Sequence, residues 1–251
     1  MSSLTADRRN RMAQLLLQEG SIKVGDMAKL FNVSTETIRK DIIYLEEAGI
    51  AEKNHGGAIP RINAVEKTLD DKEFINAEDK SAIGMRAAAL VHEGDTIILD
   101  AGSTTTAIAK QLSMRHGLII ITNSLLIAST LAQSDNEVYL VGGKVRGSSK
   151  ALVGGWALRM LDSVHADIAF LGSDGFRDLN GPSCLSYEEA NVKNMIVRCS
   201  RRTYVVADSS KETHTDRFIY ADWSEVSGLI TSGKQVDEIK DRLKGKVEIL
   251  N

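Results

Sequence analysis

Six short apolar runs, each closed by small or polar residues, limit the architectures open to most of this chain. Asp95–Leu99, Gly117–Thr122, Glu137–Val141, Asp167–Leu171, Thr203–Ala207 and Gly228–Thr231 are mostly β-branched and too short for helices. Such runs suit strands buried on both faces of a sheet, the usual condition of parallel strands. Helical patterns, the first over Lys80–Val91, lie between most of them. The alternation predicts an α/β unit with a largely parallel, Rossmann-like sheet.

In such sheets ligands sit at the carboxyl ends of the strands, so the residues after each run are the candidates. They read Asp100-Ala101-Gly102-Ser103-Thr104-Thr105, Asn123-Ser124, Gly142-Gly143-Lys144, Gly172-Ser173-Asp174-Gly175 and Asp208-Ser209-Ser210-Lys211. Small residues let a ligand approach the backbone, hydroxyls and a helix N-terminus hold an anion, and Lys211 supplies a countercharge. Taken singly, each has an ordinary alternative: a cap, a turn, a solvated lysine. Neither a GxGxxG fingerprint after the first strand nor a GxxxxGK[ST] loop is present, which argues against a dinucleotide or Walker nucleotide site. His55, His92, His116, His165 and His214 are scattered without metal-ligand spacing, so neither metal nor cofactor is expected. Glu189 and Lys193 stand four apart on one helical face, within reach of a polyol or of each other.

The first sixty residues read differently. Arg8–Gln18 is helical, with Met12, Leu15 and Leu16 on one face and Gly20 as its stop; Val24–Phe31 carries a stripe of Val24, Met27, Ala28 and Phe31. Asn32-Val33-Ser34 is a tight connection whose Ser34 caps a third helix ending at Gly49. Two helices so joined are the helix-turn-helix pattern. On the third helix Ile38, Ile42 and Leu45 must face the core, which leaves Glu36, Lys40 and Ile43 opposite, flanked by Thr37, Arg39 and Tyr44. That face suits a major groove, with Ser34, Thr35, Thr37, Arg39 and Lys40 able to reach bases or phosphates and Glu36 able to accept from cytosine. It would equally serve as the solvated side of a packing helix. Residues 50–59 read as two short strands around a basic turn, a β-wing whose Lys53 and His55 are placed for phosphate or minor-groove contact.

At this point the chain resembles a known family. VSTETIRKDIIYLEEAGI followed by NHGGA is similar to the signature of the DeoR family of bacterial sugar-metabolism regulators, an N-terminal winged helix joined to a sugar-phosphate sensor. DAGSTT, ITNS, VGGKVR, ADIAFLGSDG, EEANVK and ADSSK, in that order, look like its sensor half, so the likeness spans nearly the whole chain. The sensor fold is similar to ribose-5-phosphate isomerases, glucosamine-6-phosphate deaminases and CoA transferases. The resemblance implies that Asp100, Gly102, Ser103, Thr104 and Thr105 cradle a phosphate, and that Asn123, Gly142, Gly143, Asp174, Glu189 and Lys211 line the rest of the pocket. Four positions depart from the family. Arg39-Lys40 replaces two arginines, exchanging a bidentate fork for a point charge. Lys23 stands where a capping Ser is usual, so the second helix is expected to fray at its entry. Lys72 stands where Arg is frequent, and Ser232 replaces an Asp.

The resulting organisation is a winged helix-turn-helix over residues 1–59, a polar linker and lead-in over 60–79, and an α/β effector-binding domain over 80–251. Residues 1–60 hold eight basic and eight acidic side chains, and the whole carries a formal charge of −3, so the case for DNA rests on where charges lie. No apolar run approaches the ~20 residues of a membrane span, and Cys184 and Cys199 lack paired spacing; a cytoplasmic protein is expected. Two functions compete: a transcription factor released from operator DNA by a phosphorylated sugar or polyol, and a sugar-phosphate isomerase using Asp100, Asp174 and Glu189 as acids and bases. The winged module has no reason to precede an enzyme, whereas a regulator accounts for both halves. One small module binds DNA weakly, so a homodimer or tetramer is expected, together with repression that the effector relieves.

Overall fold

A computed structural model describes residues 5, 8–9, 11–12, 15–16, 21–47, 51–54, 56–60, 68–177 and 180–251. The chain divides into two compact units, Met1–Glu66 and Lys67–Asn251. Gly20, Gly49, His55 and residues 61–67 of the expected linker lie outside the described residues.

In the first unit the described residues of the expected first helix are helical, with Met12 and Leu16 fully buried. Helices α1 (Val24–Phe31) and α2 (Thr35–Glu47) follow, joined by Asn32 in the left-handed conformation that ends α1. Ser34 accepts the Thr37 N–H at 3.1 Å and so caps α2. Ile38, Ile42 and Leu45 are buried against Met12, Leu16, Val24 and Met27, as the helical period requires. Strands β2 (Ala51–Asn54) and β3 (Gly57–Pro60) form the expected wing.

A third strand, β1 (Ile22–Lys23), completes this sheet in the order β1-β3-β2. It also corrects the expected fraying of α1. Lys23 provides no side-chain cap, but its strand pairs with β3 and the Val24 N–H donates to the Gly56 carbonyl at 2.9 Å. The wing thus supplies what a capping serine would have supplied. Two residues are too few for a strand to show as a pattern.

The second unit begins with α3 (Leu69–Phe74) and α4 (Ala77–Ala89). Its centre is a seven-stranded sheet, every neighbouring pair parallel, built from β4 (Thr96–Leu99), β5 (Ile119–Thr122), β6 (Glu137–Leu140), β9 (Ala166–Gly172), β11 (Ser200–Val206), β13 (Gly228–Ile230) and β14 (Ile249–Leu250). Helices α5 (Ser103–Leu112), α6 (Leu125–Leu131), α7 (Gly155–Asp162), α8 (Tyr187–Arg198) and α9 (Val236–Arg242) connect them. Alternate strand residues enter different cores. Ile98, Ala169, Leu171 and Val205 pack on one side, while Ile97, Leu99, Ile168 and Phe170 pack on the other.

Strand order is β14-β13-β11-β9-β4-β5-β6. The chain lays β5 and β6 on one side of β4, then returns to place β9 on the other. Such a reversal opens a crevice at the carboxyl end of the first strand, and here that end carries Asp100 and the loop into α5.

Three details differ from the sequence reading. Glu137–Leu140 is an edge strand with exposed side chains rather than a buried one. The segment after it is not a simple loop: β7 (Lys144–Arg146) pairs antiparallel with β8 (Ala151–Val153). A second small ladder joins β10 (Ser183–Cys184) to β12 (Phe218–Ile219). Gly143 belongs to the hairpin's packing, since a Cβ there would lie 2.6 Å from the Val153 carbonyl oxygen.

Gly57 is fixed in the same way. A Cβ would sit 2.0 Å from the Ile22 carbonyl oxygen, between two paired strands. Gly57→Ala is expected to destabilise the first unit by about 2–3 kcal/mol, measured as loss of its unfolding transition in calorimetry with the second unit's transition unmoved.

Candidate functional site

Two sites emerge, one in each unit. On α2, Ser34, Thr35, Glu36, Arg39 and Lys40 are exposed and Thr37 half-buried, so the face opposite Ile38 and Ile42 is open. Arg39 lies 3.5 Å from Glu36 across one turn, an exposed pair that water weakens. Lys40 has no partner among the described residues. Lys53 does: its ammonium is 3.0 Å from Glu46, and its N–H donates to the same carboxylate. The wing residue expected to contact DNA is therefore tied to α2.

Asp41 is a feature that the helical wheel missed. It is 1% exposed and receives Arg8 Nε at 2.6 Å and Arg9 Nε at 2.7 Å. The Arg9 guanidinium also lies over the Tyr44 ring. A carboxylate on the buried face of α2 thus fastens the N-terminal helical residues to it; the cue was a lone Asp among apolar neighbours, with paired arginines upstream.

In the second unit Gly102 stands before α5 and contributes no side chain, so the first-turn N–H groups of Ser103, Thr104 and Thr105 have no partner among the described residues; the first helical bond is Thr106 N–H to Gly102 O at 2.9 Å. The Thr105 and Thr106 hydroxyls turn back onto the Gly102 carbonyl, at 2.9 and 2.7 Å. Of the loop's hydroxyls, those of Ser103 and Thr104 have no partner among the described residues. Asn123 braces the loop, accepting the Ala101 N–H at 3.1 Å and donating to the Leu152 carbonyl at 3.3 Å.

Asp100 does not lie open beside the loop. It is 2% exposed, ion-paired with Lys193, and accepts the Gly172 N–H at 3.3 Å. Lys193 also donates to the Gly172 carbonyl at 3.0 Å. Burial pushes the Lys193 ammonium toward neutrality, but Asp100 outweighs it and holds its proton affinity above the ordinary lysine value. Glu189 does not pair with Lys193; it lies 3.3 Å from Arg146. Burial raises its carboxyl above the usual range against the pull of Lys193 and Arg146.

Asp174 meets Lys72 at 2.7 Å. Burial works to raise its carboxyl, yet Lys72, with Lys193 and Lys211, holds it below the ordinary value. Lys211 belongs to the turn after β11 and acts on Asp174, Asp216 and Lys80 through its charge. Lys80 is 5% exposed and donates to the carbonyls of Lys72 and Ile75. Burial lowers it to about 8, partly offset by Asp208.

The loop residues, Asn123, Asp174, Glu189 and Lys211 are thus joined by shared partners at one end of the sheet. Gly143 packs against Val153 of the β7–β8 hairpin, and the Gly142 nitrogen lies 3.1 Å from Met160 Sδ on α7. The sequence reading passed over Arg146 and Lys80 as site residues, and of its two alternatives for Glu189 and Lys193 the mutual bond is not the one formed: Lys193 meets Asp100 and Glu189 meets Arg146. Ser232, a departure from the family, donates to Asp79 at 3.1 Å.

A winged helix with an open cationic face, followed in one chain by a parallel α/β unit with an anion-suited crevice, defines a DNA-binding transcriptional regulator. Residues 8–75 match the DeoR-like helix-turn-helix domain, and residues 75–233 match the DeoR C terminal sensor domain. The chain belongs to the DeoR family. It is 34% identical to the HTH-type transcriptional regulator GlpR of Haloferax volcanii, covering 92% of this chain and 91% of that one. It is 33% identical to the HTH-type transcriptional repressor GlcR of Bacillus subtilis, over 86% and 84% of the two chains. With the transcriptional repressor AccR of Agrobacterium fabrum it shares 30% identity over 98% of each. A ribose 5-phosphate isomerase A from Methanocaldococcus jannaschii covers 54% of each chain at 19% identity with a TM-score of 0.40, a likeness that decides nothing here. Among the described residues no helix is long and apolar enough to cross a membrane.

Two outcomes follow from the buried charges. Lys193→Met leaves Asp100 buried and unpaired, and should destabilise the second unit by about 3–5 kcal/mol in urea unfolding; adding Asp100→Asn should restore part of that loss. Lys80 titrates near 8 when folded and 10.5 when unfolded, so between those values the unfolded chain holds more protons. The stability of the protein relative to Lys80→Met should therefore rise with pH across that window.

Proposed function

We propose that this regulator is a repressor whose operator affinity falls when a phosphorylated sugar or polyol occupies the crevice after β4. The observation that carries this reading is the loop at the strand-order reversal: three N–H groups and two hydroxyls without partners among the described residues, beside Asp100 with its Lys193. N–H groups at a helix start favour an anion. In this reading Gly102, Ser103, Thr104, Thr105 and Lys211 hold the phosphate. Asp174, Glu189 and Asn123 face the hydroxylated part, while Asp100 acts from beneath by fixing the loop. Relatives named as transcriptional repressors support the direction of control.

Operator contact is assigned to Ser34, Thr35, Glu36, Thr37, Arg39 and Lys40 on α2, with Lys53 and His55 on the wing. Lys40, exposed and without a partner among the described residues, is the principal cation of that face. A homodimer or tetramer held by the sensor units would present two winged helices to two half-sites, and effector binding would favour an arrangement in which their spacing is wrong.

An isomerase reading finds less support. Each carboxylate it would enlist is already engaged: Asp100 by Lys193, Asp174 by Lys72 and Glu189 by Arg146.

The test is a thermal-shift panel of glucose 6-phosphate, fructose 1-phosphate, glycerol 3-phosphate and galactosamine 6-phosphate, each beside its unphosphorylated parent and assayed for turnover. Stabilisation by a phosphorylated compound without product supports the reading; conversion overturns it. Lys40→Ala should weaken operator binding by about 1–3 kcal/mol at fixed salt while leaving the ligand-induced shift intact. Thr104→Ala with Lys211→Ala should do the reverse, keeping DNA binding and losing the response, read by fluorescence anisotropy on labelled operator.

A further inference from the structure

Strand β6 closes one side of the seven-stranded sheet, and among the described residues nothing pairs with its outer edge. The Glu137 and Val141 N–H groups point inward, donating to the carbonyls of Leu118 and Thr122 at 2.9 and 2.8 Å. Direction alternates along a parallel strand, so the N–H and C=O groups of Val138 and Leu140 point outward, away from β5. Edges left open in this way are usually blunted by proline, lysine, a bulge or a covering element. Glu137-Val138-Tyr139-Leu140 contains neither proline nor lysine.

The side chains around this edge are apolar. Tyr139 is 51% exposed, and on α7 Trp156 and Met160 stand one turn apart at 70% and 46%. Helix α7 lies against the carboxyl end of β6, with Met160 Sδ 3.1 Å from the Gly142 nitrogen. Exposed apolar surface gathered in one place marks an interaction site. Charge is divided along it: Asp135 and Glu137 are exposed at the amino end of β6, while Arg159 is exposed on α7 beside the carboxyl end and has no partner among the described residues.

A partner seated here must offer an open strand edge, an apolar face and the opposite order of charge. A second copy of the chain, turned through half a turn, offers all three. Val138 of one strand then stands opposite Leu140 of the other, each such pair exchanging two N–H···O bonds. Tyr139 faces Tyr139 across the axis, a cross-strand aromatic pair, and the acidic end of each strand meets the basic end of the other.

We propose that the β6 edge and α7 form a two-fold interface with a second copy of this chain, joining the two central sheets through antiparallel β6 strands. This rests on the reading above that two copies act together on an operator, and it names the surface that joins them. The contact is isologous, so it closes on itself rather than growing into a fibre.

The experiment is cross-linking by position in the full chain carrying Cys199→Ser, with sedimentation velocity in parallel; the other cysteine, Cys184, is buried. Tyr139→Cys places two sulfurs at the axis, with Cα atoms about 4.5 Å apart, a span that a disulfide bridges, and mild oxidation should give a covalent dimer. Glu137→Cys stands opposite Val141 and should not cross-link. Leu140→Pro removes an outward N–H and no bond within the sheet; it should weaken association on the order of tenfold or more, read as a smaller assembly at equal concentration. Cross-linking at both positions or at neither, or a Leu140→Pro chain that associates as the wild type does, overturns the interface and leaves the paired reading standing. A wild-type chain that sediments as a monomer and binds operator as a monomer removes the paired reading and the interface with it.

Discussion

One carboxylate and one ammonium, buried against each other, organise the carboxyl end of the central sheet. Asp100 closes β4, Lys193 projects from α8, and both bond the backbone of Gly172 at the end of β9. Three elements far apart in sequence are thereby fixed at one point. A buried ion pair is seldom a large net source of stability, since desolvation offsets the attraction. Its value lies in geometry: neither group can leave without stranding the other. The loop that opens α5 starts from this fixed point, and Asn123 braces it from β5.

Around that pair the site is built from exchangeable contacts. Asp174, Glu189 and Asp208 each engage a side chain from another element: Lys72, Arg146 and Asn76 respectively. These partners come from α3, from the β7–β8 hairpin and from the turn into α4, which are peripheral to the sheet. The central layer is apolar, while the polar layer above it joins peripheral pieces. The winged helix repeats this division on a smaller scale, with Asp41 buried beneath an open face of α2.

Much of this was readable in the sequence because the determining forces are local or periodic. The apolar runs of β4, β5, β9, β11 and β13 were visible, as were the Ser34 cap and the buried stripe of α2. What the sequence did not show depends on pairing across distance. β1 and β14 are two residues long and exist through their neighbours. The hairpin at Lys144–Val153 was hidden behind a glycine pair that reads as a simple turn. Side-chain partners were the least legible: Glu189 and Lys193 sit at a spacing that suggests a mutual bond, yet tertiary packing gives each a stronger partner. Lys72 stood in a charged stretch indistinguishable by composition from a linker.

The same partner assignments bear on whether such a crevice senses or transforms its ligand. Proton transfer in catalysis asks for a group within reach of the substrate, with an affinity for protons near the working pH. Asp174 is held ionised by Lys72, whereas burial raises the carboxyls of Asp100 and Glu189 while Lys193 and Arg146 pair with them. Sensing asks for something else: contacts that a ligand can replace one for one, on elements light enough to respond. A six-residue helix with a single buried side chain meets that condition. The carboxylates of this crevice each face a cation from another element, the arrangement that replaceable contacts require.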